Sequence, residues 1–193
     1  MKKSQLSGCI FSVGYGNRSF EAFSQLLNEN GIKYLIDVRT SPYSKFNPDF
    51  TRDVLEKKLQ TINIRYVYMG DLIGGLPRDR DCYSDEKVDY DKCRNNGTFI
   101  TGITRLITAL EKQLTIAIMC SEGKPHECHR SKLLGEMLKE RGIELLHIDE
   151  EDRIVTQTEV MDRITKGQLA LFGEMQMLTS KKRYIRSGLE EAR

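Results

Sequence analysis

Short apolar runs alternate along this chain with stretches whose apolar positions recur every three or four residues. Residues 9–13 have the continuous apolar character of a buried strand. Phe20, Phe23, Leu26 and Leu27 then share one helical face, with Asn17 or Ser19 available as the cap and Gly31 as the stop. Residues 33–38 predict a second strand. Residues 50–63 predict a second helix, started by Asp49 or Thr51, with Val54, Leu55, Leu59 and Ile62 facing inward. The pattern continues with a strand over 64–69, a long helix over 99–112, a strand over 114–119, a helix over 131–141 stopped by Gly142, and a strand over 143–148.

Strands and helices in alternation imply a mostly parallel sheet covered on both faces. The expected fold is therefore α/β: a single Rossmann-like three-layer domain over residues 1–150 with about five strands. A C-terminal extension over 151–193 is expected as a helical or partly ordered tail. Residues 76–98 are polar, carry Cys82 and Cys93, and read as a long excursion near the edge of the sheet. In open sheets of this kind ligands bind beyond the carboxyl ends of the strands, so the residues after each strand are the candidates for chemistry.

Composition narrows the class without changing this picture. An apolar fraction of 39% and a net charge of +2 exclude a disordered polyelectrolyte. No apolar run approaches the ~20 residues of a membrane span, so no membrane association is expected. Lys2 and Lys3 lead into a polar stretch without the apolar segment of an export signal. Five dispersed cysteines with no export signal suit a reducing cytoplasm and point to chemistry more than to structural disulfides. The charge is uneven. Residues 166–193 hold six basic and three acidic side chains, leaving the tail at +3 and the preceding body at −1.

Three strand ends carry candidate groups. After the first strand, Gly14-Tyr15-Gly16-Asn17-Arg18-Ser19 approaches a dinucleotide fingerprint but has Ser19 in place of the third glycine. A tight strand-to-helix turn explains it as well, and its free N–H groups offer an anion site. The second strand ends in Asp37-Val38-Arg39, where alternation puts both charged side chains on one side. They read either as an internal ion pair or as an acid/base group, Asp37, beside an anion clamp, Arg39.

The densest cluster follows the fourth strand: Cys120-Ser121-Glu122-Gly123-Lys124-Pro125-His126-Glu127-Cys128-His129-Arg130. A thiol between a strand and a helix start, beside arginine, is a candidate thiolate. One reading makes Cys120 or Cys128 a nucleophile with Glu122 or His129 moving protons. A second is metal binding, but the eight-residue step between the cysteines departs from common zinc spacings, so no metal ligands are assigned. A third is an anion loop with merely buried cysteines. Arg130 lies ten residues after Cys120, so the Cys-x5-Arg phosphate loop of tyrosine phosphatases and rhodanese-type enzymes is absent. His147, inside a strand, reads as a core histidine.

The Gly14–Ser19 turn, the Asp37-Val38-Arg39 strand end with Pro42, the segment Ile64-Arg65-Tyr66-Val67 leading to Leu72-Ile73-Gly74-Gly75, and Cys120-Ser121-Glu122 with Pro125 and Cys128-His129-Arg130 together resemble domain-of-unknown-function family 488. The resemblance spans roughly residues 9–150. It implies a fold and a shared site without a named reaction. The family's usual histidine after the first glycine is here Tyr15. In the tail, Gln168, Leu169, Leu171 and Phe172 resemble the peptide by which DNA-processing proteins bind the sliding clamp, a groove-docking segment. The basic Lys181–Arg186 stretch follows.

The expected activity is that of an enzyme or ligand-binding domain for an anionic substrate, a nucleotide or nucleic acid. Asp37, Cys120, Glu122, Cys128 and His129 are its candidate catalytic groups. Gly14, Tyr15, Gly16, Asn17, Arg18, Arg39 and Arg130 are its candidate ligand contacts. No cofactor is assigned. The alternatives are a clamp-bound adaptor and a thiol-redox or metal protein.

Overall fold

The structure is a computed structural model that describes residues 9–165, 178–180 and 183–184. The clamp-like peptide at Gln168–Phe172 lies outside the described residues, as do Lys181, Lys182, Ile185 and Arg186 of the basic stretch.

Strands β1 (Ile10–Gly14), β2 (Tyr34–Asp37), β3 (Arg65–Tyr68), β6 (Ile116–Cys120), β7 (Leu145–Ile148) and β8 (Ile154–Thr156) form one sheet in the order β3-β2-β6-β1-β7-β8. All neighbours run parallel except β8, which is antiparallel to β7. The expected five strands are thus joined by a sixth, and the sheet continues past residue 150. Strands β4 (Tyr83–Ser84) and β5 (Lys87–Val88) form a separate hairpin. Its turn residues Asp85 and Glu86 both have positive φ, as a tight two-residue hairpin turn requires.

Alternation along the strands sorts side chains onto two faces. Phe11, Val13, Leu35, Ala117 and Met119 pack under α1 (Phe20–Glu29) and α2 (Arg52–Thr61). Ile10, Ile36, Ile116 and Ile118 pack on the opposite face under α5 (Gly97–Glu111) and α6 (Glu136–Lys139). This gives the expected three-layer α/β architecture.

The caps follow local chemistry. The Ser19 hydroxyl accepts from Ala22 N, starting α1, and Gly31 takes φ 66° just after its end. Asn96 caps α5 through Thr98 N and Phe99 N. Thr51 precedes α2, but its hydroxyl accepts from Ser44 N instead of the helix. Val54, expected inside, is 39% exposed, because the buried stripe of α2 is only Leu55 and Leu59.

Two regions depart further from the pattern. Residues 76–98 are not an irregular excursion. They form the β4–β5 hairpin and α4 (Tyr90–Arg94), capped by Asp89, and bury Cys82, Val88, Tyr90 and Cys93 in the core. The helix expected over 131–141 begins as a π-turn, Arg130–Gly135, before becoming α6. A short helix α3 (Gly70–Ile73) follows β3, and after β8 the chain adds α7 (Gln157–Thr165). Among the described residues no helix is long and apolar enough to cross a membrane.

The order of the strands locates the site. Helices α1 and α6, which follow the adjacent strands β1 and β6, lie on opposite faces of the sheet. Divergence of neighbouring connections opens a crevice at the strands' carboxyl ends. Here that crevice starts at the paired termini Gly14 and Cys120.

Candidate functional site

Gly14 ends β1 where the loop after β6 crosses it. A Cβ there would overlap the Glu122 carbonyl, so only glycine lets the two backbones pass. The passage is fastened by Tyr15 N to the Cys120 carbonyl (3.2 Å) and Gly16 N to the Ser121 carbonyl (3.0 Å). These N–H groups are therefore occupied, and the expected anion nest in the turn is not formed by them. Arg18 is similarly engaged, donating to the Gly14 carbonyl (2.6 Å), the Asp149 carbonyl and the Asp152 carboxylate.

Beside this passage lies a cleft of about 310 Å³. Tyr15, Arg39, Cys120, Glu122, Cys128 and His129 are among the residues that line it. Two sulfurs and an imidazole nitrogen lie within 4.8 Å of one another. The Cys128 sulfur is 3.6 Å from His129 Nδ1. His129 Nε2 is buried without a hydrogen-bond partner among the described residues. Gly75 makes room for this ring, since a Cβ there would come within 3.0 Å of Nδ1.

The two thiols differ in character. Burial by itself would raise the Cys128 pKa, but the Cys120 thiol and the Arg130 guanidinium pull it down to about 6. Cys120 moves the other way, to about 12, because its proton is held in the hydrogen bond to Cys128 and because it is desolvated. The environment thus shifts Cys128 toward the thiolate and Cys120 toward the protonated thiol.

Arg130 adds to the asymmetry, after the Cys120 thiol. It is fully buried. Nε donates to the Cys128 sulfur (3.3 Å), Nη1 to the Ser12 hydroxyl (2.8 Å) and Nη2 to the Glu122 carbonyl. The expected ligand contact is thus an internal cation held against the Cys128 sulfur.

Asp37 is also internal. Its carboxylate takes Arg39 Nε (2.9 Å) and Nη2 (2.6 Å) and the Tyr66 hydroxyl (2.7 Å). Burial and the neighbouring carboxylate together push the Tyr66 phenol pKa up. Asp37 accordingly fixes Arg39 and does not line the cleft. Arg39 is buried over the Tyr15 ring, 5.4 Å from its centroid, and its Nη1 has no acceptor among the described residues. Tyr15 is in turn stacked on Phe50 at 4.2 Å.

Of the sequence candidates, Tyr15, Arg39, Cys120, Glu122, Cys128 and His129 meet at this cleft, and Gly16, Asn17 and Arg18 line a second one beside it. The cleft also takes residues that the sequence did not single out. Tyr90 comes from α4, and Asp89 followed by Tyr-Asp is a cap signal that could have located that helix. Ser180 and Tyr184 come from the C-terminal extension. They are held on the hairpin by Ser180 N to the Val88 carbonyl (2.9 Å) and Tyr184 N to the Glu86 carbonyl (2.7 Å). No local signal marks Ser180, and Tyr184 reads in the sequence only as part of the basic 181–186 stretch, because the pairing that brings both here spans some ninety residues.

No curated protein and no solved structure matches the chain significantly. A family model does: it matches residues 19–138, which include the Asp37-Val38-Arg39 strand end and the whole Cys120–Arg130 loop. That span is more than half of the 193 residues, and the chain belongs to the family described as Domain of unknown function DUF488.

Proposed function

We propose that the protein is an enzyme that uses the Cys128 thiolate against an anionic substrate held in this cleft. The observation that carries the reading is the pairing of a thiolate held by Arg130 and Cys120 with a buried donor, Arg39 Nη1, that lacks an acceptor. Buried donors are nearly always satisfied, so an unpartnered one on a residue that lines the cleft suits an oxygen of the ligand. Bidentate attachment to Asp37 keeps the guanidinium in place, as a preorganised anion contact requires.

In this reading sulfur bonds to the electrophilic centre of the substrate as the bond to the leaving group breaks. The leaving group keeps the electron pair and takes a proton from His129 in its imidazolium form, which leaves the neutral imidazole. The carboxylates of Glu122 and Glu127 at the cleft limit the anion to one that reaches Arg39 directly. Titration calorimetry with inorganic phosphate tests the anion contact. Arg39→Ala should weaken binding at least about tenfold, the usual scale for a charge-assisted hydrogen bond. Unchanged binding would contradict it.

The proximity of three donor atoms favours one rival. Zinc held by Cys120, Cys128 and His129 would leave a fourth position toward the cleft. Tetrahedral zinc needs its donors about 3.3–3.8 Å apart, so the 4.8 Å set would have to contract. Stoichiometric metal in untagged protein purified without chelator, lost in Cys120→Ser, would favour the rival over the nucleophile.

A further inference from the structure

A second cleft of about 720 Å³ adjoins the first and shares Tyr15, Ser121 and Glu122 as its wall. Both volumes suit small organic groups. One short loop, residues 41–47, serves both. Tyr43 stands at the first cleft and Phe46 at the second. They are 67% and 97% exposed, so neither ring contributes much to the core.

The loop presenting them is tied down. Arg52 N donates to the Pro42 carbonyl (2.9 Å), Ser44 N to the Thr51 hydroxyl (3.3 Å), and Asn47 Nδ2 to the Arg18 carbonyl (3.0 Å). Two exposed aromatic rings three residues apart on an anchored loop, each at its own cleft, are poor for stability and suited to stacking. Lys45 stands between them in sequence and is exposed.

Resting on the reading of the first cleft as the substrate site, we propose that the two clefts take successive nucleotides of a single-stranded nucleic acid, with Tyr43 and Phe46 as the stacking platforms. Aromatic rings bind bases through faces that a duplex conceals, whereas a single strand offers them. Glu122, Glu127 and Glu150 line the clefts and disfavour a backbone lying deep in them. The backbone therefore runs along the Lys45 side, with a single phosphate oxygen reaching Arg39. Lys124, at the second cleft, supplies a further cation.

Fluorescence anisotropy with a fluorescein-labelled ten-residue oligothymidylate, and with the same label on a ten-pair duplex, tests this on the full chain. The single strand should bind more tightly than the duplex. Tyr43→Ala and Phe46→Ala should each weaken it about tenfold, the scale of a lost base–aromatic stack. No binding of the single strand, equal binding of the duplex, or affinity unchanged by both substitutions would overturn the proposal. The pH profile of Cys128 alkylation, measured on the same samples, separates it from the reading on which it rests. Failure of strand binding with a low-pH alkylation midpoint overturns this inference alone. Ring-dependent strand binding with a midpoint near 9 overturns the thiolate alone.

Discussion

His147 is completely buried on β7, where it behaves as the core histidine that its place in a strand suggests. Gln157 Nε2 donates to the Ser131 carbonyl (3.0 Å) and to the Glu136 carboxylate (2.7 Å), so its Oε1 is left to accept from His147 Nε2 at 2.7 Å. The neutral ring, protonated on Nε2, fits this network. Burial first, then the positive charges of Arg130 and Arg163, lower its pKa from 6.5 to about 3. Between those values the unfolded chain holds a proton that the native state refuses, so the His147 contribution to stability falls as pH drops from 6.5 toward 3 and is flat above. Thermal unfolding against pH should show this loss, on the order of a few kcal/mol, in the native protein. His147→Gln should flatten that part of the curve, and an identical slope in the variant would contradict the assignment. Arg130 teaches the opposite lesson about legibility. An arginine after Cys-His reads naturally as a ligand contact, yet its partners Ser12, Glu122 and Cys128 fix it inside. Two of those partners are a backbone carbonyl and a residue on another strand, and sequence spacing reports neither.

At the scale of elements, the main strands and helices were legible because alternation and the three-to-four-residue period are carried by large apolar side chains. Phe23, Leu27, Leu55 and Leu59 are all fully buried on the expected faces. The hairpin and α4 were not, because their buried residues, Cys82, Val88, Tyr90 and Cys93, are single positions set among charged ones. Desolvation accordingly pushes the Cys93 thiol pKa up, away from the thiolate form. The π-turn at Arg130–Gly135 also has no sequence pattern of its own, and such turns often sit at functional sites. The crossing of β1 by the Cys120–Arg130 loop is the element-scale feature most sensitive to substitution. Gly14→Ala places a methyl group against the Glu122 carbonyl and close to Arg130 Nη2. It should lower stability by about 1–3 kcal/mol in urea unfolding, the range for overpacked interiors. A wild-type midpoint would show that the two backbones need not pass so closely.

The whole molecule joins distant parts of the chain at one end of one sheet. The segments that follow β1, β2 and β6 bring Tyr15, Arg39 and Cys128 to the cleft. The C-terminal extension, which reads in sequence as a basic appendage, returns to close the site through Ser180 and Tyr184. A single chain pattern exposes the sheet but hides this return, since it depends on backbone pairing with Val88 and Glu86 and not on a periodic face. Tyr184→Ala should therefore open the cleft without unfolding the domain. At pH 8, well above the thiolate pKa, it should raise the rate of Cys128 alkylation severalfold while the circular dichroism stays unchanged. An unaltered rate would mean that Tyr184 does not restrict entry.

The central claim is that a thiolate sits ready at this sheet edge, and its titration is the direct test. Iodoacetamide labelling of Cys128, followed by peptide mass spectrometry across pH 4 to 10, should give a midpoint near 6 in the native chain. Arg130→Gln should move it upward and slow labelling at pH 7 by about tenfold, as expected when a thiolate loses its cation. A native midpoint near 9, or labelling of Cys120 in preference to Cys128, would contradict the account.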